Sequence, residues 1–233
     1  MATSGSVNFS LNAGQIIEKA FHVLGKAAEG EALSSRMYDD GLSSLNLMLK
    51  TWGANEHLWI KTERSLALVG GQAAYVLDPK PGRVLSVRRQ TQNIDVPMNE
   101  MARDTYFNQP TKTTSASTPV SWYYDPQAFT GTLYLWPAPS VQTATNMTVN
   151  MTYLRRIQDM DTSGDDLDMP QEWLQAVVWN LANELETEYP VNDGRLAGKI
   201  ERKAALLLGA LEAWDTEPAS IYFQREAEWG GYA

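Results

Sequence analysis

The sequence predicts an α+β protein: a four-helix bundle formed by N- and C-terminal helix pairs, with an inserted antiparallel β-rich domain and an extended C-terminal tail. Three observations carry this. Apolar residues recur at helical spacing near both ends of the 233 residues and at strand spacing between them. Each helix has a single apolar stripe and cannot stand alone, so the two pairs are expected to pack together. A hydrophobic fraction of 43% and eight Trp supply a core of the necessary size.

Residues 1–60 hold an arm and the first helix pair. The arm is polar, with Val7, Phe9 and Leu11 alternating. Asn12 can cap a helix whose apolar face is Ile16, Ile17, Ala20, Phe21, Leu24 and Ala27. Ser34 and Ser35 open a second helix. Its seam is Tyr38, Leu42, Leu45, Leu49 and Trp52, widened by Leu47 and Met48.

Residues 61–158 change period. ERSLALVGGQAAYVLDP reads as two strands about Gly70-Gly71, and RVLSVRRQ with NIDVPMN as two more about TQN. EMARDTYFNQ reads as a short helix and TKTTSASTP as a polar loop. SWYYDP and GTLYLWPAP form a hairpin-like pair. TATNMTVNMTYLRRI is the clearest strand, with Met147, Val149, Met151 and Tyr153 on one face.

Residues 159–215 hold an acidic loop and the second helix pair. Asp168 is expected to cap the third helix, with Pro170 in its first turn. Its core face is Trp173, Leu174, Val177, Val178, Leu181, Ala182 and Leu185. Pro190 stops it. Asn192 or Asp193 caps the fourth helix, whose seam is Leu196, Ile200, Ala204, Leu207, Leu211 and Trp214. Residues 216–233 read as an extended arm rich in aromatics.

Charge narrows the function. The net charge is -9, and from Asp159 to Asp193 there are ten acidic residues and no Lys or Arg. Free, non-specific nucleic-acid binding needs clustered cations and is disfavoured. A protein that surrounds DNA without gripping it remains compatible. There is no Cys, hence no disulfide, zinc thiolate or Cys nucleophile. That suits a reducing cytosol or a particle assembled there. The first residues lack the basic and apolar regions of a signal peptide, and no apolar run is long enough to span a membrane.

The catalytic and metal motifs fail on inspection. Asp159, Asp161, Ser163 and Gly164 match the opening of a calcium loop, but its twelfth place is Pro170 rather than a bidentate carboxylate. GRLAGKI is one residue short of a phosphate loop and lacks Ser or Thr after Lys199. His22 and His57 have no nucleophile elbow to serve. The two sequons of NMTVNMT follow from strand alternation. The small basic clusters about Arg88, Arg155 and Lys199 read as solvated faces. The tail aromatics Tyr222, Phe223, Trp229 and Tyr232 read as anchors for another subunit, because exposed aromatics are enriched at interfaces.

Two stretches carry a family resemblance. AFHVLGKAAEGE, followed by LSSLNLMLKTW and HLW, resembles the start of the head-to-tail adaptor proteins of short-tailed bacteriophages. These are also called tail tubular protein A, or head-completion and packaged-DNA-stabilisation proteins. MPQEWLQAVVWNLANELETEYPV resembles the helix near the C-terminus of that family. The order of elements agrees, and the likeness covers roughly residues 13–215.

The resemblance implies a structural virion protein without enzymatic activity, cofactor or metal. It implies a twelve-membered ring beneath the portal, which extends the DNA channel and helps retain the packaged genome. Its partners would be further copies of itself, the portal protein, a tail nozzle resembling tail tubular protein B, and passing double-stranded DNA bound without sequence specificity. No membrane is involved; the protein would sit in the virion neck after assembly in the host cytoplasm. Residues 219–233 become a portal-docking arm. Trp179, off the core face, becomes a candidate subunit contact. Asp161, Asp165, Asp166, Glu184 and Glu188 become a candidate acidic channel lining. Two other readings stay open: a tail-associated cell-wall hydrolase with a carboxylate pair in a cleft, and a connector of another tail type.

Overall fold

The computed structural model describes residues 5–27, 30, 32–112 and 117–216. Helix α1 (Ala13–Val23) starts at a reciprocal cap. The Asn12 side chain accepts from the Gln15 amide at 2.8 Å, and the Gln15 side chain accepts from the Asn12 amide at 3.1 Å. Helix α2 (Ser35–Trp52) starts at Ser34, whose hydroxyl accepts from the Met37 amide. Helix α5 (Leu174–Leu185) and helix α6 (Gly194–Trp214) follow the β block.

Between them lie two four-stranded sheets. The first has the order β1 (Lys61–Ala67), β8 (Thr148–Leu154), β3 (Arg83–Thr91), β4 (Ile94–Pro97). The second has the order β2 (Ala74–Leu77), β7 (Gly131–Trp136), β6 (Ser121–Pro126), β5 (Asn99–Glu100). Val84, Val87, Val149 and Met151 from the first sheet meet Tyr75, Leu77, Trp122, Leu133 and Leu135 from the second in one buried core. Helix α3 (Arg103–Phe107) covers the other face of the second sheet, where Tyr106 lies against Tyr123 and Tyr134. Helix α4 (Val141–Asn146) precedes β8.

The helical part is not the four-helix bundle of two terminal pairs that the stripes predict. Helix α5 is its hub: α1 and α2 pack on it and on each other, whereas α6 packs chiefly on α5. The reason lies in α6 itself. Of its residues only Ile200 and Ala204 are buried; Leu196, Leu207 and Leu211 are half-covered, and Trp214 is 67% exposed. Ile200 alone reaches the core shared by the other three helices, and Leu196, Leu207, Leu208 and Leu211 lie half-covered against it, so α6 lines one side of α5 and closes no bundle. Leu47, expected to widen the α2 face, is 71% exposed.

Other expectations are corrected locally. The two strands about Gly70-Gly71 are not a hairpin: β1 pairs with β8 and β2 with β7, so this turn carries the chain between sheets. The TATN stretch is helical and β8 begins only at Thr148, because Ser140 caps α4 through the Thr143 amide. The β block is not wholly antiparallel, since β5 pairs with β6 in parallel. Asp168 does not cap α5. A single 3-10 turn at Gln171–Trp173 leads into that helix without a side-chain cap. Asp168 instead takes both guanidinium nitrogens of Arg155, one at 2.9 Å, and accepts from the Gln158 amide at 3.1 Å. A charged fork satisfies its oxygens better than a helix start can. The expected hairpins β3–β4 and β6–β7, the short helix α3 and the cap at Asp193 are present.

Candidate functional site

The acidic loop after β8 is a built structure. Asp165 accepts from the amides of Asp161 and Thr162 at 2.8 and 2.7 Å and from the Thr162 hydroxyl at 3.0 Å. These bonds, led by those from Thr162, hold its carboxyl below the usual aspartate range. The loop is then tied to α1 by the Ala13 and Gly14 amides, which donate to the carbonyls of Asp165 and Ser163. It is tied to α2 by Asn46. That side chain donates to the Met160 carbonyl at 2.8 Å and accepts from the Met160 amide at 2.9 Å, imitating a strand partner. Lys50 pairs with Asp159 and donates to the Ile157 carbonyl at 2.9 Å. Asp161 and Asp166 remain exposed on this frame.

The five carboxylates expected to line a channel therefore form two groups. Asp161, Asp165 and Asp166 share the loop beside the start of α1. Glu184 lies in the last turn of α5 and Glu188 just beyond it, both exposed on the flank of a furrow with α2. Trp179 is half-buried under α6, with the Lys203 ammonium 5.8 Å from its ring centre. Tyr222, Phe223, Trp229 and Tyr232 lie outside the described residues.

A second junction lies where no sequence motif marks it. His57 and Asp215 meet at 3.2 Å, each side chain 5% exposed, and join the loop after α2 to the end of α6. The imidazole stacks on Trp59 and meets Trp173 edge-on at 4.8 Å, while Trp52 adjoins Trp173 at 5.9 Å. The Arg155 guanidinium lies over Trp59. His57 Nε2, Trp59 Nε1 and Trp173 Nε1 are buried without a hydrogen-bond partner. Among the described residues the hydrogen-bond partner of this imidazole is Asp215, and the pair clamps the loop after α2 to the end of α6. The partners are 158 residues apart in sequence, and no local signal announces them.

Among the described residues no group of three or more His, Asp or Glu side chains gathers as a metal site. No helix among them is long and apolar enough to cross a membrane. The prominent surfaces are therefore an organised acidic loop, an exposed α6 and a furrow beside α2. No curated protein matches the chain. A family model does: the one described as SU10 adaptor protein matches residues 11–223.

Proposed function

The chain belongs to the SU10 adaptor protein family, and from that premise we propose that it works as a bacteriophage head-to-tail adaptor in the virion neck. It is a structural component, and its partners are the portal above and the tail below. In our reading copies form a ring, of twelve as the resemblance to adaptors of short-tailed phages implies. The ring continues the DNA channel, holds the packaged genome and seats the tail nozzle.

The observation that carries this reading is the match over residues 11–223, which takes in the helices, both sheets and the acidic loop together. The loop's construction supports a place beside DNA. Asp161, Asp165 and Asp166 are held by their own backbone and by α1 and α2, so their charge stays where the fold puts it. A wall that DNA must leave quickly needs fixed negative charge and few phosphate-binding cations. Residues 219–233, with Tyr222, Phe223, Trp229 and Tyr232, serve as the portal-docking arm, and Trp179 supports the face on which α6 meets a neighbour.

Co-sedimentation with the portal ring of the same phage tests this, with and without residues 219–233. Association that needs those residues is the expected result. Association without them keeps the adaptor and removes the arm. No association at micromolar protein and moderate salt overturns the adaptor reading.

A further inference from the structure

Helix α6 leaves one face uncovered. Arg195, Lys199, Arg202, Leu206, Gly209, Ala210 and Ala213 recur at three- and four-residue spacing, and all are exposed. Leu206 is 71% exposed and the adjacent Trp214 67%. The first half of this stripe is basic; none of its three cations forms an ion pair with a described residue, and Glu201 is the neighbouring acid. The second half is apolar, with small residues that let another backbone come close.

The complementary shape is on different elements of the same chain. A furrow between α2 and the end of α5 is lined by Ser44, Leu47, Met48, Trp52, Glu184 and Glu188. Its α2 wall is mixed, with Ser44 and Thr51 beside Met48 and Trp52, and Leu47 stands 71% exposed there as its apolar point. Its α5 flank is acidic. The α6 stripe from Arg195 to Ala213 spans about 27 Å and the α2 wall of the furrow from Ser44 to Trp52 about 12 Å, so the furrow takes the central two turns of the stripe, around Lys199 to Leu206.

We propose that the exposed stripe of α6 seats in the α2–α5 furrow of a second copy of this chain. Lys199 and Arg202 face Glu184 and Glu188, and Leu206 covers Leu47. The incoming α6 runs in the direction of the α2 that receives it. Knob and furrow are different surfaces, so the contact is heterologous and each copy offers a free furrow to the next. Such contacts close into a ring where the rotation from copy to copy completes a full turn, and otherwise run on as a filament. The inference rests on the ring reading above and names the surfaces that make it. It assigns Glu184 and Glu188 to the joint between copies and leaves the channel lining to the acidic loop.

The chain has no cysteine, so introduced thiols report cleanly. One preparation carries Leu47→Cys and another Leu206→Cys; they are mixed under assembly conditions, with the portal ring present as template, and oxidised. The expected product is a mixed dimer, absent when either variant is oxidised alone. A second variant reverses Lys199→Glu and Arg202→Glu, both exposed. It is expected to sediment as monomer at concentrations where the unmodified chain forms rings. Rings return when Glu184→Lys and Glu188→Lys are added. Rings without the mixed cross-link, or indifferent to both charge reversals, overturn this joint and leave the ring reading intact. Absence of rings in the unmodified chain, with portal and without, overturns both.

Discussion

Replacing Asn46 by Ala removes the side chain that holds the acidic loop to α2. Two bonds are lost, one to the Met160 carbonyl at 2.8 Å and one from its amide at 2.9 Å. Met160 is 2% exposed, so water does not readily replace either. A net bond contributes about 1 kcal/mol, and a stranded buried polar group costs about 1–3 kcal/mol. We therefore expect a loss of about 2–4 kcal/mol. The assay is urea unfolding at equilibrium, read as a shift of midpoint at unchanged slope. Hydrogen exchange at the Met160 amide should accelerate with it. Asn46→Asp refines the test. Above pH 5 its carboxylate faces the Met160 carbonyl with no donor, and the loss persists. At lower pH a protonated carboxyl can donate, and part of the stability returns. A loss below about 0.5 kcal/mol for Asn46→Ala would show that the paired bonds do not anchor the loop.

Four further outcomes are expected. Gly41→Ala places a methyl 2.5 Å from Cγ2 of the fully buried Ile17, where α1 and α2 approach; despite the better helix propensity, thermal unfolding should show a loss of about 1–2 kcal/mol. Tyr189 donates to Asp40 at 2.6 Å, and that bond, with burial, raises its pKa. A phenol with a raised folded pKa adds stability below its unfolded value near 10 and loses it as pH rises through the folded value, so Tyr189→Phe should cost about 1–2 kcal/mol at pH 7 and nothing at pH well above that window, measured by denaturant melts. Asp165 has the opposite sign: its lowered pKa gives support that is present above about pH 4 and lost on acidification through the folded value, which a carboxyl titration by NMR, with faster amide exchange at Asp161 and Thr162 in Asp165→Asn, would show. His57→Ala opens space beside Trp59 and Trp173 and strips Asp215 of its imidazole partner; a loss of about 2–4 kcal/mol, with faster exchange in the last turn of α6, is expected.

Where a local rule decided the structure, the sequence was readable. Asn12 with Gln15, Ser34 and Asp193 cap as their types require. Alternation in β8 put Val149 and Met151 inside, and turn chemistry closed β3–β4, where Gln92 and Asn93 adopt positive φ. Where a distant partner decided, it was not. Gly70-Gly71 looks like a hairpin turn, but β8 and β7 claim its two flanks. Asp168 has the right type for a cap and is taken by Arg155. The α6 seam reads as one face, yet it covers α5 at Ile200 and Ala204 and leaves Trp214 in solvent, so α6 lies along α5 and the bundle does not close. The candidate site divides the same way. The acidic loop was visible as a run of Asp between β8 and α5. Its split from Glu184 and Glu188, and the junction of His57 with Asp215, depend on packing that no spacing encodes.

The most direct test of the account is electron cryomicroscopy of the portal–adaptor complex assembled from full-length proteins. A closed ring beneath the portal, with the loop that carries Asp161, Asp165 and Asp166 facing the channel, is the predicted result. A ring whose loop lies on the outer rim would contradict the proposed channel wall, and a chain bound to portal as scattered monomers would contradict the adaptor ring itself.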